Sequence, residues 1–200
     1  MNTEQFKYWI RLHQEWLDTK GVDGKHLSLE EVDLSCCVIE SVSLQNALFI
    51  TAKFTKSEFK NVNLSRSTLC DSDFSQANVS DVSLRKANLD HADFTSATME
   101  NCISIRGSFS QARFCHTVMS QCDFTKAFFY EANLKNARFE SCNLSYANLA
   151  GATLENIKFE SCIGLDTVIV DWLLTRDNDS SSILKGDDAV NWLLGRALNS

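Results

Sequence analysis

From Leu29 to Phe159 a bulky apolar residue recurs at every fifth position. The stretch Val82–Met99 shows the pattern: Leu84, Leu89, Phe94 and Met99 are the large members. A small or β-branched residue stands two places before each, at Val82, Ala87, Ala92 and Ala97. The series has 27 positions, of which 26 are bulky and apolar; only Ser104 breaks it. An α-helix cannot keep this spacing on one face, because five residues rotate the side chain by about 140° relative to the start. A continuous strand cannot either, because odd spacings change faces. Each unit of five therefore reads as a short extended piece with two inward residues, followed by a corner. A repeat that never slips over this length predicts a solenoid.

Grouping the units by four gives columns of residues twenty apart. One small-residue column runs Val42, Val62, Val82, Cys102, Cys122, Cys142, Cys162; the other three are mainly Ala, Ser and Thr. A column that differs systematically from its neighbours supports a twenty-residue coil. The words "KANLD", "SQANV", "EANLK", "YANLA" and "GATLE" resemble those of the pentapeptide-repeat proteins, and the resemblance covers roughly residues 27–162. It implies an all-β solenoid: a right-handed, four-sided β-helix of nearly seven coils. At ordinary strand spacing the rod is about 30 Å long.

The ends break the period. Phe6, Trp9, Ile10, His13 and Leu17 follow helical spacing, with Asn2 or Thr3 available as a cap and Gly21 as a stop. Residues 1–26 are thus expected to form a helical cap, with Trp9, Trp16 or both over the first coil. Residues 163–200 are expected to hold C-terminal helices: "TVIVDWLLTR" as a short helix or final cap, "DNDSSSILKGDD" as a polar linker, and a last helix. The stripe Val190, Leu193, Leu194, Ala197 and Leu198 on that last helix needs a covering surface. That surface is either the last coil or the same stripe of a second subunit. Val190, Leu193, Leu194 and Leu198 are the candidate dimer contacts, because protective members of the resembled family dimerise through a C-terminal element.

Charge refines the map. The chain carries a net charge of −7, which disfavours direct nucleic-acid binding. The side bearing the Val/Cys column stacks Arg66, Lys86, Arg106 and Lys126 in one line, with Arg85 beside it and Asp123 as its one acid, for a net of about +4. The following side, with Glu30, Glu31, Asp71, Asp90 and Glu131, nets −5. The third side balances, and the fourth nets −3. Two acidic sides therefore flank a basic one. Phe128 and Tyr130 sit at outward positions and, with the four stacked cations, are the candidate partner contacts. Ile103 and Ile105 flank Ser104. The favoured account is a local register adjustment that buries one isoleucine and spares the hydroxyl; a contact patch is the alternative.

Candidate chemistry changes this little. The eight cysteines include no C-x-x-C pair, and an inward Cys column offers no tetrahedral metal site; the thiols read as small buried hydrophobes in a reducing compartment. His91 and His116 fall on outward corners of different coils, and "LDHAD" and "FCHTV" gather no nucleophile with a base. No catalytic, cofactor or metal residues are expected. The N-terminus lacks the apolar core of a signal peptide, so the expected location is cytoplasmic, with no membrane contact. The functional expectation is a non-catalytic protein that presents rigid charged faces to a protein partner. The resemblance implies one version: a DNA mimic that binds DNA gyrase or topoisomerase IV and protects it from inhibitors. The alternative is an adaptor or effector scaffold unrelated to topoisomerases.

Overall fold

The computed structural model describes residues 3–177 and 180–198. In chain order the elements are α1 (Thr3–Asp18), β1 (Ser28–Glu30), β2 (Val38–Glu40), β3 (Leu48–Ile50), β4 (Glu58–Lys60), β5 (Asn78–Ser80), β6 (Thr98–Glu100), β7 (Val118–Ser120), β8 (Arg138–Glu140), β9 (Lys158–Glu160), β10 (Trp172–Asp177), β11 (Ser180–Lys185) and α2 (Asp187–Leu198). β2 and β4 to β9 form a seven-stranded parallel sheet along one side, in the twenty-residue register Val38↔Glu58 through Arg138↔Lys158. Single bridges such as Ser83↔Ile103 and Asp93↔Arg113 hold other sides in the same register.

The five-residue period has a backbone cause. In every unit the second residue after the large one has positive φ, from Glu31 (50°) to Ser161 (53°), with Gly151 at 73°. One left-handed residue per unit turns the chain through the corner and returns the next pair of side chains inward. Each non-glycine residue so placed costs about 1 kcal/mol, and hydrogen bonding between coils offsets it. The corner N–H of Cys36 donates to the Thr55 carbonyl at 2.9 Å, and the inward Leu34 N–H donates to the Lys53 carbonyl at 2.8 Å. The Ala47 N–H closes the turn onto the Leu44 carbonyl at 3.1 Å.

Of the 27 large positions all except the partly buried Leu29 are buried. On one side Phe54, Phe74, Phe94 and Phe114 stack face on, with centroids 4.8, 4.9 and 4.9 Å apart. The Cys column lies inward as the sequence predicts. Cys102, Cys122 and Cys142 are buried, and their thiols donate to carbonyls of the preceding coil: Cys102 to Val79 at 3.4 Å, Cys122 to Met99 at 3.5 Å, Cys142 to Met119 at 3.3 Å. Thr117 uses the equivalent acceptor, the Phe94 carbonyl, at 2.6 Å.

The expected adjustment at Ser104 does not occur. Ser104 keeps the inward position, fully buried, and its hydroxyl has no hydrogen-bond partner; Ile103 and Ile105 stay outside and half-buried. The pairings Ser83↔Ile103 and Ile103↔Asp123 stay in register, so a slip here would break both neighbouring coils. Volume explains the exchange. Phe124 stands next above Ser104 in a column otherwise built of leucine, and Phe109 contacts it at 6.1 Å between centroids. Gly107 makes further room: a Cβ there would come within 3.3 Å of the Phe109 ring.

The N-terminal cap forms as expected, although Asn2 lies outside the described residues. Phe6 is buried with its ring 6.4 Å from Phe49, and Trp9 and Ile10 pack on the core. Gly21, at φ 89°, closes the helix by donating to the Trp16 carbonyl at 2.8 Å. His13 is fully buried and bridges cap to coil: its Nδ1 accepts from the Leu27 N–H at 3.1 Å, which leaves Nε2–H to donate to the Gln45 carbonyl at 3.1 Å.

The C-terminal end departs from expectation. The coil runs on past Cys162, because one added residue changes the register from twenty to twenty-one: Asn143↔Ile163 is followed by Asn148↔Ile169 and Thr153↔Leu174. A 3₁₀ turn at Leu165–Thr167 absorbs the extra residue. Gly164, at φ 81°, permits it, since a Cβ there would collide with the Ser145 backbone. After the shift the inward pairs resume as Val168/Val170 and Leu173/Thr175, all buried. "TVIVDWLLTR", expected as a short helix or final cap, forms no α-helix: it runs from the 3₁₀ turn through Val168 and Val170 into β10, which pairs with β11 of the expected polar linker as an antiparallel hairpin, Leu173 opposite Leu184. One C-terminal helix, α2, follows. It packs on β9, the 165–167 turn and β11, and buries Ala189 and Leu193.

Candidate functional site

The four stacked cations occupy successive left-handed corners: Arg66 (φ 60°), Lys86 (56°), Arg106 (57°) and Lys126 (58°). A corner residue points away from the core, so all four side chains are exposed. Among the described residues, three cations on the other sides make ion pairs. Lys135 meets Glu155 at 2.9 Å, Arg113 meets Asp93 at 3.7 Å, and Arg138 meets Glu140 at 2.8 Å and Glu160 at 2.6 Å. Among the described residues none of the four stacked cations makes an ion pair. The next corner in the column is Tyr146, and Lys126 Nζ lies 5.7 Å from its ring centroid, a cation–π contact.

That end of the column opens into a surface cleft of about 520 Å³, lined by Arg106, Lys126, Phe128, Tyr146, Asn148 and Ile169. Phe128, Tyr146 and Ile169 are 46%, 55% and 52% exposed. The arrangement offers two cations beside an apolar floor, which suits an anionic group carried on an apolar body.

The chain matches the model for pentapeptide repeats (8 copies) over residues 33–69 and 63–103, and that for a pentapeptide repeat region over residues 92–164. Together these span residues 33–164, the greater part of the coils described above. The chain belongs to the pentapeptide-repeat family. Its fold is the parallel β-helix of that family. Solved structures similar to this pentapeptide-repeat chain include HetL, involved in heterocyst differentiation regulation in the cyanobacterium Nostoc. It is 17% identical, with 79% of this chain and 82% of that chain covered and a TM-score of 0.43. A pentapeptide repeat protein from the cyanobacterium Cyanothece is 22% identical, covering 70% and 87%, with a TM-score of 0.31. A trypsin-treated form of QnrB1, a plasmid-mediated fluoroquinolone resistance protein, is 17% identical, covering 72% and 77%, with a TM-score of 0.28. Among curated proteins no relative matches this chain.

The structure separates residues that the sequence grouped. Phe128 joins Arg106 and Lys126 at the cleft, whereas Tyr130, 42% exposed, is not among its lining residues. Tyr130 interacts with Glu131, whose carboxylate accepts from Gln111 Nε2 at 2.7 Å. These contacts raise the Tyr130 pKa and lower that of Glu131. Tyr146 and Ile169 were missed as site residues. Tyr146 was legible as the next member of the twenty-residue corner column. Ile169 was not, because its place depends on the inserted residue.

On the C-terminal stripe, Leu193 is buried within its own chain, Val190 and Leu194 are half-buried, and Leu198 lies outside the residues whose side chains are described. His91 and His116 remain at corners, at φ 62° and 60°. The carboxylates of "LDHAD" are engaged locally: Asp90 accepts from the Ser110 N–H at 2.9 Å, and Asp93 from the Thr95 N–H at 2.8 Å. His116 Nε2 lies 3.3 Å from Asn136 Nδ2, and burial pushes the neighbouring Cys115 thiol pKa up. No group of His, Cys, Asp and Glu among the described residues is arranged to hold a metal ion, and no described helix is long and apolar enough to cross a membrane.

Proposed function

We propose that this pentapeptide-repeat protein is a non-catalytic binding scaffold that offers its rigid outer sides to a protein partner. The observation that carries this is the unpaired cation column running into an aromatic cleft, in a rod whose interior is occupied by its own side chains. The chemistry lies on the outside, at positions fixed by coil register. Affinity capture from native lysate with the full chain tests the reading. A stably retained protein, released by high salt, is expected; recovery of the bait alone overturns it.

A finer version makes the partner DNA gyrase or topoisomerase IV, with the chain acting as a DNA mimic and protecting that enzyme from inhibitors. The two acidic sides flanking the basic one support it, since they give much of the rod an anionic surface. A supercoiling assay with and without a fluoroquinolone decides it: altered activity or drug protection at micromolar protein is expected, and no effect removes this version while leaving the scaffold. A homodimer through α2 is a further part of the proposal, supported by the half-buried Val190 and Leu194. Light scattering after size exclusion tests it, and a monomer mass at high concentration overturns it.

A further inference from the structure

The cation column has a fixed interval. Parallel register places Arg66, Lys86, Arg106 and Lys126 on four successive coils, and the stacked Phe74, Phe94 and Phe114 rings mark that step as 4.9 Å. Three steps make a row about 15 Å long. One further coil along the same line stands Tyr146, at the rim of the cleft with Phe128 and Ile169.

A partner that satisfies the row must offer carboxylates in a line at nearly the same interval, then an apolar group one step beyond. An α-helix advances 5.4 Å per turn, so acids one per turn span about 16 Å over three turns. The mismatch of about 1 Å lies within the reach of flexible Arg and Lys stems. In an extended strand, alternate residues repeat at about 6.7 Å, and three steps overshoot the row by about 5 Å. A nucleic-acid duplex fits less well again. The sides flanking the row net −5 and −3 and repel a wide polyanion, whereas a single helix about 10 Å across can follow the corner row itself, with Phe128 and Ile169 of the adjoining side as its apolar floor.

We infer that Arg66, Lys86, Arg106 and Lys126, with the Phe128–Tyr146–Ile169 cleft, dock an acidic amphipathic helix of a protein partner. The helix carries Asp or Glu once per turn and a bulky apolar residue one turn past the last acid. The charged row sets register and accelerates encounter, and the apolar anchor slows release. This inference rests on the scaffold reading and specifies its surface.

The test uses the full chain and a fluorescein-labelled, alanine-based peptide of about 24 residues with Glu at four successive turns and Trp one turn beyond. A peptide of the same composition with shuffled Glu positions, a Trp→Ala version and a duplex of about 20 base pairs serve as comparisons. Anisotropy at about 50 mM salt is expected to show the patterned peptide binding at least tenfold tighter than the shuffled one, with affinity falling as salt rises. R106E/K126E is expected to weaken it about tenfold or more. F128A is expected to weaken only the Trp-bearing peptide, by about fivefold. Glutamate suits these corners, since Glu31 and Glu131 already hold φ of 50° and 55°, and circular dichroism checks the fold of each variant. Equal binding of patterned and shuffled peptides, no binding, indifference to R106E/K126E, or tighter binding of the duplex each overturns the inference. If lysate capture by the wild-type chain still retains a partner that R106E/K126E also retains, the docking surface is refuted and the scaffold stands. If no partner is retained at all, the scaffold reading itself fails.

Discussion

Ser104 and His13 show how much one buried polar group costs or contributes in this rod. The Ser104 hydroxyl is buried without a partner, a penalty of about 1–3 kcal/mol. Ser104→Ala is therefore expected to stabilise the chain by about 1 kcal/mol, read as a higher denaturant midpoint. Ser104→Leu restores the usual residue of the column but crowds Phe124 and is expected to destabilise by about 1–3 kcal/mol; adding Phe124→Leu should recover most of that loss. Additive losses would show that the two side chains do not share the volume. His13 is the opposite case, a buried ring with both nitrogens bonded. Burial lowers its pKa from 6.5, the Gln45 carbonyl partly opposes this, and His26 adds to the lowering. The unfolded chain thus takes up the proton first as pH falls. The stabilisation is fully present above pH 6.5 and is lost as pH falls from there through the lower folded value. Urea midpoints between pH 7.5 and 5 should decline in the wild type and decline less in His13→Gln; parallel slopes would remove His13 as the cause. Helical spacing from Phe6 to Leu17 announced the stripe that holds His13, and the five-residue period announced the burial around Ser104. It did not announce Ser104 itself, because a sequence shows the cost of burying a hydroxyl but not the two ladders of hydrogen bonds that a slip would break.

Columns are the elements that matter here, more than strands of three residues. The inward cysteines behave as small apolar groups whose S–H bonds repeat the Thr117 contact one side away. Contact with the neighbouring Cys102 and Cys142 thiols, together with burial, pushes the Cys122 thiol far up, so it is a poor nucleophile at neutral pH. A thiol-reactive disulfide reagent applied to the native chain should modify exposed Cys36 first and leave Cys102, Cys122 and Cys142 intact until denaturant is added. Mass mapping that found those three labelled early would contradict a closed interior. The columns were legible because twenty-residue spacing survives in the sequence wherever the coil is undisturbed. The C-terminal end was not, for a specific reason: one residue added in the 165–167 turn moves every later inward position out of phase. Val168, Val170, Leu173 and Thr175 still follow the pair-and-corner rule, but only once the shift is known. "SSSILK" likewise carries too weak an alternation to reveal a strand without Trp172–Asp177 to pair with.

Across the whole molecule, stability propagates along one axis, since each coil bonds mainly to the two beside it. The cation column and cleft inherit their spacing from that stack, so the proposed recognition surface is only as regular as the core beneath it. Side-chain volume is most continuous in the middle, where Phe94 stacks on Phe74 at 4.9 Å and 5°, and on Phe114 at 4.9 Å and 2°. Replacing Phe94 with alanine removes a ring from between two others and leaves a cavity that neighbouring coils, fixed by their hydrogen bonds, cannot collapse to fill. The expected loss is about 3–5 kcal/mol. The same truncation at Phe159, which has a ring neighbour in Phe139 and lies near the out-of-phase end, should cost less. Hydrogen exchange should show why. Inward amides of the central coils, such as Leu89 and Phe94, should exchange slowest, and those of β10 and β11 fastest. In Phe94→Ala the loss of protection should be greatest at coils on either side of the cavity and decay toward both ends. A uniform loss along the chain would mean that the rod unfolds as a single unit, and local changes at one coil would then reach the binding surface everywhere at once.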